Sequence, residues 1–127
     1  MEQIMKQHSS RFLTLVNESK KRIKEISPQK LKEKIDSEEH FSLIDVREDD
    51  EWPTGHIPKA IHISKGVIER DIEKAIPDPH TPIVVYCSGG FRCALVADSL
   101  QQMGYSQVYS LDTGLRGWLD AGYEVKK

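Results

Sequence analysis

Ile83-Val84-Val85-Tyr86-Cys87-Ser88-Gly89-Gly90-Phe91-Arg92-Cys93 is an apolar run that stops at a cysteine, passes two glycines and reaches an arginine. Four consecutive apolar residues led in by a proline-rich stretch, Pro77-Asp78-Pro79-His80-Thr81-Pro82, read as a strand over Ile83 to Tyr86. The residues from Phe91 or Arg92 through Met103 read as a helix that Gly104 ends. A fully apolar strand followed directly by a helix belongs to an α/β arrangement.

The pattern repeats on both sides. Phe41 to Val46 and Ala60 to Ile63 read as strands, Val67 to Ile76 as a helix, Gln107 to Leu111 as a fourth strand, and Leu115 to Ala121 as a last helix closed by Gly122. Upstream, Ser27 is placed to cap a short helix from Pro28 to Asp36. The alternation predicts an α/β domain with a mainly parallel sheet and helices on both faces. Neither an internal repeat nor a low-complexity segment interrupts it.

Phe12, Leu15, Val16, Ile23 and Ile26 recur at helical spacing, so about Ile4 to Ile26 reads as one amphipathic helix ahead of the domain. Residues 1–26 carry a net charge of +3, whereas the remainder carries −5 within an overall −2. This divides the chain into an N-terminal helical extension, 1–26, and a domain, 27–127. The extension either packs on its own domain, pairs with a second copy in a homodimer, or engages a protein partner or a membrane surface.

Length and composition narrow the classes further. The chain has 127 residues, 38% hydrophobic and 30% charged, which suits one globular domain with one core. The net charge argues against a nucleic-acid binder, and no apolar run is long enough to insert across a membrane. The charged start lacks the apolar stretch of a secretory signal, so a cytoplasmic location is expected, with the two cysteines reduced.

Cys87 sits where ligands bind in open parallel sheets, beyond the carboxyl end of a strand. Gly89 and Gly90 permit a backbone in which successive N–H groups face one point, and the following helix adds its unpaired amides and positive dipole end. Such surroundings lower a thiol's pKa. The loop therefore looks built for a thiolate or an anion attached to it. Two chemistries use that design, and loop length separates them. Cysteine-dependent phosphatases, and arsenate reductases of related fold, need a loop one residue longer to encircle a tetrahedral anion; here only Ser88, Gly89, Gly90 and Phe91 lie between Cys87 and Arg92. The smaller ring suits a persulfide sulfur.

At this point the chain resembles a single-domain rhodanese, a sulfurtransferase. Leu43-Ile44-Asp45-Val46-Arg47 is similar to the strand-end Asp-Val-Arg motif. Gly55-His56-Ile57-Pro58 with Ala60-Ile61 resembles the Gly-His-Ile-Pro-x-Ala segment, Cys87 to Arg92 the six-residue active-site loop, and Gly114 with Gly117-Trp118 the closing glycine-rich helix. The resemblance covers Phe41 to the carboxyl end. It implies a rhodanese-like fold and a two-step reaction: Cys87 takes a sulfane sulfur from a small anionic donor such as thiosulfate and passes it to cyanide or a thiol. The loop residues Ser88, Gly89, Gly90, Phe91 and Arg92 would bind substrate, Arg92 by clamping an anionic donor. Arg92 could also pair internally with Asp45, while Asp45 and Arg47 would mainly support the loop. Neither metal nor organic cofactor is implied. His56 reads as a loop-stabilising histidine and Trp118 as core.

Three positions depart from the family pattern. Cys93 stands where Ser or Thr is common; it is either a small buried side chain or a resolving thiol for a Cys87 persulfide. Lys59 replaces a small residue in the Gly-His-Ile-Pro-x-Ala segment. Asp112-Thr113-Gly114 replaces Glu-Gly-Gly. A regulatory or docking module, known in this family without the cysteine, is the competing class, as is a persulfide carrier serving one protein partner.

Overall fold

A computed structural model describes residues 8–127. The elements run α1 (Ser10–Lys20), β1 (Lys24–Ile26), α2 (Pro28–Asp36), β2 (Ser42–Asp45), β3 (Ile61–His62), α3 (Ile68–Ala75), β4 (Ile83–Tyr86), α4 (Arg92–Gln102), β5 (Val108–Leu111) and α5 (Gly114–Asp120), with a 3-10 turn at Trp52–Thr54. The five strands form one sheet in the order β1-β5-β4-β2-β3. Every pairing in it is parallel.

Burial along β4 shows why its residues are all apolar. Ile83, Val85 and Cys87 enter one core cluster with Ile68 and Ile72 of α3 and Val96 and Leu100 of α4. Val84 and Tyr86 enter the other, with Leu31 of α2 and Leu115 and Trp118 of α5. Side chains alternate across a strand, so a central strand covered on both faces must be apolar throughout. The expected α/β architecture is present, with a sheet parallel throughout. The cap on α2 is also as expected: Ser27 Oγ accepts the Lys30 N–H at 3.1 Å, with Pro28 in the first turn.

The N-terminal expectation needs correction. The helix ends at Lys20, and Lys24–Ile26 instead pairs with β5 as an edge strand, Ile26 opposite Leu111. Ile23 and Ile26 fit helical spacing, but Lys24 to Ile26 pair with the open edge of β5, which buries Ile26 in the sheet's core. Residues 1–7, where that helix was expected to begin, lie outside the described residues.

Helix α1 packs on α4 of its own domain. Val16 is buried, Ser19 Oγ donates to Asp98 at 2.9 Å, and Arg22 pairs with the same carboxylate at 2.7 Å. The Arg22 guanidinium holds the Asp98 carboxyl below its ordinary pKa. Gln101 Nε2 adds a bond to the Arg22 carbonyl at 2.8 Å. Among the described residues, no helix is long and apolar enough to cross a membrane.

Candidate active site

β2 and β4 are neighbours, with Asp45 opposite Tyr86, so the segments leaving their carboxyl ends share one edge of the sheet. Cys87 is the first residue beyond β4. It is 1% exposed and lies on the floor of a cavity of about 620 Å³ whose wall includes Glu51, Ser88, Phe91 and Arg92.

Three groups meet its sulfur. The Gly90 N–H donates to Sγ at 3.2 Å, the Cys93 N–H at 3.4 Å, and the Cys93 sulfur lies 3.5 Å away. Hydrogen bonding from the Cys93 thiol, then from the two amides, and the charge of Arg92 draw the Cys87 pKa below its ordinary value against the opposing effect of burial. Burial, reinforced by the neighbouring sulfur, pushes the Cys93 thiol up. Of the pair, Cys87, which receives two backbone N–H groups, is the sulfur better placed to carry charge. Among the described residues, the backbone N–H groups of Ser88, Gly89, Phe91 and Arg92 find no acceptor.

Two glycines permit this loop. Gly90 has φ +93°, and a Cβ there would lie 2.1 Å from the Asp112 carbonyl oxygen. Gly114 has φ +64°, and its Cβ would lie 2.6 Å from the Cys87 carbonyl oxygen. That close approach lets the first amides of α5 hold the loop: Leu115 N–H donates to the Cys87 carbonyl at 2.8 Å and Arg116 N–H to that of Ser88 at 2.9 Å.

Arg92 does not pair with Asp45. Its guanidinium forks onto Glu51, at 2.8 and 3.2 Å, and also donates to Ser88 Oγ at 3.2 Å. Hydrogen bonding from Arg92 is the main cause of the Glu51 carboxyl's fall to a pKa of about 2. Asp45 is taken by Arg47: the Arg47 backbone N–H, Nε and Nη2 all donate to it, and Nη2 also donates to the Gly55 carbonyl at 2.7 Å. Arg47 thus ties the end of β2 to the Gly55 turn.

The family model of the rhodanese-like domain matches residues 27–121. The chain belongs to the rhodanese-like domain family. Over 96 residues this rhodanese-like chain is 41% identical to the "Putative sulfurtransferase YtwF" of Bacillus subtilis (strain 168), covering 76% of the chain and 90% of that protein. Over 102 residues it is 31% identical to the "Putative sulfur carrier protein YrkF" of the same organism, covering 80% of the chain but 54% of YrkF, so the chain spans about half the length of that relative. Among solved structures, the polysulfide-sulfur transferase homodimer of Wolinella succinogenes superposes with a TM-score of 0.78 at 28% identity, over 92% of this chain and 88% of the other. The names differ among relatives: the "tRNA uridine(34) hydroxylase" of Chlamydia abortus is also 35% identical over 98 residues, covering 72% of this chain but 30% of that protein.

The positions that depart from the rhodanese pattern have definite places. Lys59 holds φ +77°, a conformation costly for a side chain with a Cβ. Asp112 supplies the carbonyl against which Gly90 packs. Cys93 is fully buried behind Cys87 and receives the Ser110 hydroxyl at 3.1 Å. His56 stacks on Trp52 with ring centres 3.6 Å apart, and its backbone bridges Lys126. Trp118 is core, its Nε1 donating to the Glu124 carbonyl at 2.8 Å.

Six residues that line the cavity were not among the sequence candidates: His8, Phe12, Glu48, Asp50, Glu51 and Arg116. Glu51 sits in the acidic run Glu48-Asp49-Asp50-Glu51, which contains no signal for which carboxylate meets Arg92. His8 and Phe12 come from the N-terminal segment and stand over Phe91, with ring centres 4.4 and 6.4 Å from its own. The start of α1 therefore forms part of the cavity wall.

Proposed function

We propose that this chain is a sulfurtransferase that moves a sulfane sulfur from a donor such as thiosulfate to a nucleophilic acceptor, cyanide or a thiol, through a persulfide on Cys87. The observation that carries the reading is the convergence of the Gly90 and Cys93 amides on a sulfur at the cavity floor. In the first step the Cys87 thiolate attacks the outer sulfur of thiosulfate. An S–S bond forms at Cys87, and the donor's S–S bond breaks with its electron pair leaving on sulfite. In the second step the acceptor attacks the outer persulfide sulfur, and the Cys87 thiolate is the leaving group. The unpaired amides of Ser88, Gly89, Phe91 and Arg92 are the donors that would stabilise negative charge on the transferred sulfur.

Initial rates at varied thiosulfate and cyanide test this, since one covalent intermediate requires double-displacement kinetics. Parallel double-reciprocal lines are expected, with sulfite released from thiosulfate before any acceptor is added. Intersecting lines, or activity that survives Cys87→Ala, would contradict the reading.

A second reading keeps the persulfide but makes the chain a carrier that delivers sulfur to one protein thiol. It is favoured by the engagement of Arg92 with Glu51, which leaves the proposed anion clamp already occupied. The acceptor protein would meet the rim formed by His8 and Phe12. Persulfide formation combined with weak thiosulfate turnover separates this reading from the first.

A further inference from the structure

We propose that Cys93 is a resolving thiol, which expels the outer sulfur of the Cys87 persulfide as hydrosulfide and leaves a Cys87–Cys93 disulfide that a dithiol then reduces. In the absence of an acceptor the chain would thus convert sulfane sulfur into free sulfide. The inference rests on the persulfide reading above and adds a second fate for the same sulfur.

Distance is the first support. The two sulfurs are 3.5 Å apart. A disulfide bond of about 2.05 Å therefore needs an approach of only about 1.5 Å. Direction is the second. The cavity reaches Cys87, whereas Cys93 is 0% exposed and sits beneath it against Ser110 and the Leu111 carbonyl of β5. The cavity lining includes Cys87 and not Cys93, so an added sulfur has its room on the cavity side while Cys93 adjoins Cys87 from the buried side.

Ser110 supplies the third support. Its fully buried hydroxyl donates to Cys93 Sγ at 3.1 Å, so it can stabilise charge on that sulfur as the proton leaves.

The step balances without an outside oxidant. The Cys93 sulfur gives its electron pair to Cys87 Sγ, and the bond between Cys87 Sγ and the outer sulfur breaks with its pair on the outer sulfur. The Cys93 proton goes to the departing sulfide. The outer sulfur is reduced from the sulfane to the sulfide level while the two cysteines are oxidised. A dithiol then attacks Cys87 Sγ, the atom at the cavity floor, expels the Cys93 thiolate, and closes its own disulfide to release Cys87.

The test compares the reduced full chain with Cys93→Ser, and with Cys93→Ala as a second variant in case the serine protein folds poorly. Each is treated with thiosulfate, freed of small molecules and left without acceptor; intact mass and released sulfide are then followed. The wild type is expected to end two hydrogens lighter than the reduced chain, after releasing one equivalent of sulfide, and dithiothreitol should restore it. The variants are expected to retain one added sulfur and release none. A wild type that keeps its added sulfur as the variants do would overturn the resolving role and leave the sulfurtransferase reading intact. If no chain gains or releases sulfur, the persulfide reading fails and this inference fails with it.

Discussion

Two arginines leave the carboxyl ends of neighbouring strands and fork onto carboxylates, yet they occupy different worlds. The side chains of Arg47 and Asp45 are 4% and 0% exposed, and Arg47 Nη2 also donates to a backbone carbonyl. Those of Arg92 and Glu51 are 28% and 31% exposed and line the cavity beside Cys87. The first pair is buried, lies outside the cavity lining and ties the end of β2 to the Gly55 turn. The second can exchange one anion for another, which is what a substrate contact requires. The resemblance set Arg92 to an anionic donor and Arg47 to support of the loop; the structure adds that the two pairs differ in burial.

The largest expected effect breaks the scaffold pair. Asp45→Ala leaves the Arg47 guanidinium buried without its carboxylate, a loss of about 3–5 kcal/mol that urea unfolding should show as a much lower midpoint. If it costs no more than a surface substitution, Asp45–Arg47 is not the scaffold described here. Next comes Gly90→Ala. Its new Cβ would lie 2.1 Å from the Asp112 carbonyl, so the loop must move and the Gly90 amide must leave Cys87. Removing one donor from a developing anion lowers turnover about 100-fold, to be read in kcat/KM for thiosulfate.

Glu51→Gln sharpens the contrast from the other side. A partly exposed pair contributes less than about 1 kcal/mol, so stability at neutral pH should fall only slightly. Freed from its carboxylate, Arg92 should bind thiosulfate better, and KM should drop a few-fold in steady-state assays. Because the folded-state pKa of Glu51 is depressed, its contribution is complete above the unfolded value of about 4.5 and is lost as pH falls toward about 2. The wild type and Glu51→Gln should therefore converge in stability across that interval. An unchanged KM would mean that Arg92 never contacts the donor. The smallest effect lies outside both pairs: Lys59→Gly relieves a positive φ and should raise stability by up to about 1 kcal/mol in the same unfolding assay.

Legibility followed the range of the interactions involved. The β4 strand, the turn at Gly89-Gly90 and the start of α4 are local, and Cys87 with its amide donors could be read from one stretch of eleven residues. Glu51 meets Arg92 across 41 positions, and nothing in an acidic run distinguishes one carboxylate from its neighbours before the chain is folded. The strand Lys24–Ile26 is short, and its stability comes from β5 at the far end of the sequence, so helical spacing won the sequence reading. The cover that His8 and Phe12 place over Phe91 depends on α1 docking against α4 through Asp98, a tertiary event with no local signature.

The central claim is that the Cys87 loop holds a transferable sulfur, and the most direct measurement is the intact mass of the reduced Cys93→Ser chain after exposure to thiosulfate and removal of the donor. The account requires a gain of one sulfur atom that cyanide removes as thiocyanate, and no gain when Cys87→Ala is added. A mass that does not change, or an added sulfur that persists without Cys87, would contradict it.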